Sequence, residues 1–184
     1  MKVLLLGRHG QVSQELQRAL PDTGELTVLG REQLDLAQPE LIRQQVQRLR
    51  PELIINAAAH TAVDQAESEP QLAFAINATA PGILAELAAE LGAALIHYST
   101  DYVFDGSQAA PYRESDATNP LSVYGRSKLA GEQAIQAVGG MHLILRTSWV
   151  YSQHGKNFLL TMQRLLQERE SLSVVADQIG APTW

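Results

Sequence analysis

Tyr124 and Lys128 stand four residues apart in a segment with helical spacing. Positions four apart share a helix face, so the phenol and the ammonium can face one ligand. A tyrosine with a pKa of about 10 is a poor acid–base catalyst at neutral pH. A nearby ammonium stabilises the phenolate and lowers that pKa. Thr100 closes an apolar run upstream and offers a hydroxyl that can hold a substrate oxygen. The three side chains together suit proton transfer at an oxygen.

A second group suits a pyrophosphate. Gly7 and Gly10 follow the first apolar run and open a helical pattern, in the spacing of a glycine-rich dinucleotide loop. Glycine there lets the backbone approach the phosphates, and the helix start presents free N–H groups and a positive dipole end. Ser13 occupies the third glycine position, where helix packs on strand. The second apolar run ends in Gly30 and Arg31, with no carboxylate at the usual ribose-binding position. Arg31 can pair with a 2′-phosphate, which points to NADPH at least as much as NADH. Asp35 either contacts the adenine or caps the next helix. Ala57, Ala58 and Ala59 leave the third apolar run, and small residues there allow either close ligand approach or tight packing.

The elements that must position these groups alternate. Apolar runs at 2–6, 26–29, 53–55, 94–98 and 142–145 read as strands, and 172–175 as a further apolar run after the last helix. Helical patterns cover 10–20, 39–49, 70–91, 121–138 and 158–168. The alternation predicts βαβ units and a doubly wound parallel α/β sheet of Rossmann type, covered on both faces. The long irregular stretch 99–120 leaves the end of the fourth strand, the edge where open α/β sheets bind ligands. Asn77 lies inside the long helix, where asparagine is disfavoured, so either a site loop or a structural partner must use it.

Composition narrows the function classes. The 184 residues are 45% hydrophobic and 18% charged, with a formal net charge of −6 and no cysteine. Disulfides, thiolate nucleophiles and cysteine-ligated zinc are excluded. The 14 basic residues are scattered singly, which argues against nucleic-acid binding. His9, His60, His97, His142 and His154 show no metal-ligand spacing. No apolar run approaches the roughly 20 residues of a membrane helix, and the run ending at Gly7 is too short for a signal-peptide core. A cytoplasmic protein without membrane contact is the expectation.

The blocks at 56–64, 99–106, 124–132, 146–151 and 177–183 run in order along the chain. With the glycine loop they resemble the extended short-chain dehydrogenase/reductase superfamily, and within it the dTDP-4-dehydrorhamnose reductase family. The resemblance implies NAD(P)H-dependent reduction of the C4 ketone of dTDP-4-dehydro-L-rhamnose. Thr100, Tyr124 and Lys128 would be the catalytic residues, with Tyr124 protonating the C4 oxygen and Lys128 also holding the nicotinamide ribose. Gly7, Gly10, Gln11, Val12, Arg31, Asp35, Leu36, Ala57, Ala58, Ala59, His60 and Thr61 would line the cofactor. Thr100, Asp101 and Trp149 would touch the dTDP-sugar. Glu15 matches an acidic position linked to magnesium, and a homodimer is an open expectation. Residues 1–150 would form the NAD(P)-binding unit and 151–184 the beginning of a substrate-binding region cut short. Two other readings share the pattern: a nucleotide-binding regulatory subunit like the β subunit of methionine adenosyltransferase, and a nucleotide-sugar epimerase or dehydratase.

Overall fold

The computed structural model describes residues 1–20 and 24–184. Five strands form one parallel sheet: β1 (Lys2–Leu6), β2 (Glu25–Leu29), β3 (Leu53–Asn56), β4 (Ala94–Thr100) and β5 (His142–Thr147), in the order β2-β1-β3-β4-β5. β1 shows why the sheet lies inside. Leu4 and Leu6 face one side and pack with Ile42, Val46, Ile54, Leu84 and Ile135. Val3 and Leu5 face the other, with Ile55, Leu16 and Leu20. A two-residue period thus feeds two separate cores, as a sheet covered on both faces requires.

The helices are α1 (Gln11–Ala19), α2 (Pro39–Leu49), α3 (Val63–Ser68), α4 (Pro70–Phe74), α5 (Ala80–Leu91), α6 (Val123–Val138) and α7 (Phe158–Glu168). Several boundaries differ from the sequence reading. The long helix at 70–91 is not uniform: a π segment, Ala75–Thr79, joins α4 to α5. Its cause is local. Pro81 has no N–H to donate to the carbonyl of Asn77, so a regular ladder cannot form there. Pro70–Leu91 is also long and apolar enough to cross a membrane by length and composition, contrary to the expectation of no such run. Yet α5 packs Ile83, Leu84 and Leu87 into the sheet core, and over half of the most apolar part of Pro70–Leu91 is buried. α3 was not anticipated. The apolar run at 172–175 forms no strand, and Val174 and Val175 are exposed.

The stretch after β4 begins with a tight turn, Asp101–Val103, and is then pinned by one carboxylate. Asp105 accepts from Ser107 N (2.9 Å), Tyr112 OH (2.8 Å) and Asn119 Nδ2 (2.9 Å). These bonds hold its pKa below the usual carboxylate range. Phe104 stacks on Tyr112 with centroids 4.2 Å apart.

Candidate functional site

The sheet order reverses between β1 and β3, and the two loops leaving those strands diverge around a crevice. Gly7 sits there at φ 100°, and a Cβ on it would lie 3.0 Å from the Ala57–Ala58 backbone. Only glycine permits both the conformation and the approach. Gly10 precedes α1 with no side-chain cap, so the first N–H groups of α1, at Gln11 and Val12, carry no side-chain partner. Ser13 is fully buried and fits: its Oγ lies 3.4 Å from Gln17 Nε2, which donates. The Gln11 side chain is engaged from afar, accepting from Asn157 Nδ2 at 2.8 Å.

The ribose end departs from expectation. Gly30 itself carries no acid, but the Glu32 carboxylate folds against its Cα, in the space a side chain at 30 would fill. Arg8 holds Glu32 at 3.5 Å and donates to Val28 O at 2.6 Å. A carboxylate therefore does stand at the end of β2, supplied two residues later in the chain. Arg31 is exposed and lies 3.6 Å from Asp35. Asp35 Oδ1 accepts from Ala37 N at 3.0 Å, a turn-capping use. Leu36 is buried in the main core, among apolar side chains.

The loop after β3 is tied to the π segment. His60 N donates to Asn77 Oδ1 at 2.8 Å, and Asn77 Nδ2 donates to His60 O (3.0 Å) and Ser127 Oγ (3.0 Å). Buried Asn77 thus ties the loop that carries Ala59, His60 and Thr61 to α6. Thr61 is exposed. His60 is nearly buried, 3.7 Å from Glu69, with Nδ1 lacking a partner.

The start of α6 is capped twice: Ser122 Oγ accepts from Gly125 N and Glu67 Oε1 from Val123 N. Gly125 and Gly131 let α6 approach closely, since a Cβ on either would overlap the carbonyl oxygen of Tyr102 or Asn77. Tyr124 is buried, edge-on to Tyr102 at 5.6 Å. Burial raises its pKa, Asp101 and Tyr102 add to this, and the Thr100 hydroxyl opposes it. Thr100 Oγ1 donates to Asp101 Oδ1 at 3.1 Å and accepts from Tyr102 N at 3.2 Å. Tyr124 is thus a phenol at neutral pH.

Lys128 makes no hydrogen bond to the Tyr124 phenol; its partners come from β4. Its Nζ donates to Tyr98 O at 2.6 Å and lies 3.0 Å from His97 Nε2. Burial lowers its pKa to about 8, against the pull of Glu132. Burial, and then Lys128, keep His97 neutral. Glu132, also buried, accepts from Ser99 Oγ and from Arg146 Nε (2.9 Å) and Nη2 (2.6 Å). Trp149, two residues past β5, is half-exposed on the same sheet edge as Thr100 and Asp101, at φ 44°. Its neighbour Val150 bridges to Thr183.

Glu15 pairs with Arg18 at 3.4 Å, and no group of three or more metal-ligating side chains occurs among the described residues. Glu15 Oε1 is buried without a partner, and among the described residues Glu15 alone makes no magnesium site. His97, Glu32, Arg8 and Glu132 escaped the sequence reading. Only Glu132, four residues from Lys128 on one helix face, carried a usable signal.

The whole chain, residues 1–184, matches the family described as RmlD substrate binding domain. It is 53% identical over 187 residues to the dTDP-4-dehydrorhamnose reductase of Salmonella typhimurium and 54% identical to that of Escherichia coli strain K12. Each comparison covers all of this chain and 62% of the relative, so the chain spans about three fifths of their length. A solved dTDP-4-dehydrorhamnose reductase from Bacillus anthracis, in complex with NADP, superposes with a TM-score of 0.94 at 43% identity, over 100% of this chain and 66% of that one.

Proposed function

Because the chain belongs to the RmlD substrate binding domain family, we propose that it supplies the cofactor-binding and proton-transfer part of a dTDP-4-dehydrorhamnose reductase. The reaction is reduction of the C4 ketone of dTDP-4-dehydro-L-rhamnose to dTDP-L-rhamnose. The observation that carries the reading is Tyr124, a buried phenol beside the Thr100 hydroxyl, on the sheet edge next to a glycine-lined crevice. NAD(P)H, when bound, supplies the hydride.

The chain's own residues do the rest. Gly7 and Gly10 admit the pyrophosphate, and the N–H groups at Gln11 and Val12 receive it. Ala57, Ala58, Ala59, His60 and Thr61 form the facing wall. At the ribose end Arg31 and Arg8 suit a 2′-phosphate, while Glu32 suits a 2′-hydroxyl, so both NADPH and NADH are accepted. Thr100 orients the ketone oxygen and Tyr124 protonates it. A raised pKa suits a donor that must hold its proton until charge develops on the substrate oxygen. Asp101 and Trp149 contact the sugar nucleotide. Residues 1–150 form the cofactor-binding unit, and 151–184 begin the substrate-binding region.

Two measurements test this. Nicotinamide fluorescence should report NADPH binding by the 184-residue chain. NADPH oxidation with dTDP-4-dehydro-L-rhamnose should proceed in the protein carrying these residues. Failure to bind either dinucleotide overturns the reading.

A further inference from the structure

A chain of buried polar groups crosses from β3 to α6. Asn56, His97 and Lys128 are each at most 1% exposed. Ala58 N donates to Asn56 Oδ1 at 3.2 Å, which fixes the amide: its Nδ2 must face the other way. That Nδ2 lies 3.1 Å from His97 Nδ1 and donates to it. His97 Nδ1 is then an acceptor, and the single proton of a neutral imidazole sits on Nε2. Nε2–H faces Lys128 Nζ at 3.0 Å, while Nζ itself donates to Tyr98 O. An ammonium would set two donors head to head. The series of bonds is consistent only when Nζ keeps a lone pair for Nε2–H.

We propose that His97 is a positioning residue that stabilises the amine form of Lys128 in the free protein, so that in alkaline solution the side chain takes up a proton when the dinucleotide binds. The inference rests on the proposed function only for its last step, since the tautomer and the amine belong to the free chain. The lowered pKa of Lys128, about 8, runs in the same direction, with the ammonium prevailing below that pH and the amine above it. The groups packed around the pair are few in charge. β3 presents neutral Asn56. β4 presents His97 and the Tyr98 carbonyl. α6 presents Tyr124, a phenol, and Glu132, which favours the ammonium. β5 presents Arg146, which takes up the Glu132 charge. Asp101 acts on Tyr124. The π segment presents neutral Asn77, bonded to Ser127.

The first test uses the free, isotope-labelled 184-residue chain and NMR. The expected result is a His97 ring that stays neutral across the titration with its proton on Nε2, and a Lys128 side chain that titrates near pH 8. In Asn56→Asp the carboxylate accepts from the ring, so the proton moves to Nδ1, Nε2 accepts from an ammonium, and the Lys128 midpoint rises. A proton on Nδ1 in the unaltered chain, or an uncoupled Lys128 titrating at an ordinary value of about 10.4, overturns the proposal even if the variant fails to fold. The second test is calorimetry of NADP binding in buffers of different ionisation enthalpy. Uptake should approach one proton per dinucleotide at about pH 9 and vanish at about pH 6.5. Binding without uptake at about pH 9 refutes the uptake step. Absence of binding refutes the proposed function and leaves the NMR result to decide His97.

Discussion

Replacing Asn77 by alanine removes three hydrogen bonds at once: one from His60 N, one to His60 O and one to Ser127 Oγ. A net intramolecular bond contributes about 1 kcal/mol, and a buried group left unsatisfied costs about 1–3 kcal/mol. The His60 backbone is half-buried and regains some water, while Ser127 Oγ still donates to Tyr124 O at 2.8 Å. The loss is therefore about 3 kcal/mol, or roughly 10 °C in melting temperature for a chain of this length. Urea denaturation measures the first quantity and thermal denaturation the second. Amide exchange adds locality: the His60 N–H should lose protection while β1 and β3 keep theirs. A cycle with Ser127→Ala should show about 1 kcal/mol of coupling. Because the same loop carries Ala59 to Thr61, NADPH affinity should fall in parallel. A loss below about 1 kcal/mol with unchanged His60 exchange would refute the argument that Asn77 ties the loop.

Other perturbations read other parts of the molecule. Tyr124→Phe removes the proposed proton donor but keeps the ring, so turnover in the protein carrying these residues should fall roughly 10²–10⁴-fold with substrate still bound. Glu32→Gln should favour NADPH over NADH by about five-fold and Arg31→Ala should do the reverse, each ratio read by fluorescence titration. Lys128, at about pH 8 when folded against about 10.4 unfolded, binds fewer protons in the native state across that window, so its contribution to stability rises with pH there by about 3 kcal/mol. Lys128→Met should lack that rise, and superimposable pH profiles would contradict it. Arg50 ends α2 in the left-handed region at φ 46°, so Arg50→Gly should raise the unfolding free energy read from urea denaturation by about 1 kcal/mol.

Most of the fold was legible because apolar runs and helical spacing announce a buried parallel sheet directly. Leu4 and Leu6 on one side and Val3 and Leu5 on the other are visible as an unbroken run. The π segment was not visible, since Pro81 reads simply as a blemish in an alanine-rich helix. In the site, Gly7, Tyr124 and Thr100 announced themselves by type and spacing. Glu32 did not, because the carboxylate sits beside Gly30 only after the backbone turns. The partners of Lys128 in the free chain were hidden for a related reason. Helical spacing says which side chains share a face, whereas His97 and the Tyr98 carbonyl reach Lys128 from β4. Leu36 shows the converse: the family resemblance implied a ligand contact, and its packing in the main core was not visible.

Among the described residues the sheet contains no hairpin. Val3 pairs with Leu53, Leu53 with Ala94, and Leu95 with His142, so each neighbouring strand arrives after a long intervening crossover. Loop-closure entropy must be met before any of these contacts rewards it, which makes such topologies slow to fold. The crevice draws on Gly7, Ala57 and Asn77, and the proton-transfer group on Thr100 and Tyr124. No early, local intermediate can hold a partial version of it. Dinucleotide added during refolding should therefore leave the folding rate unchanged and slow only unfolding, since what it binds exists after the rate-limiting step.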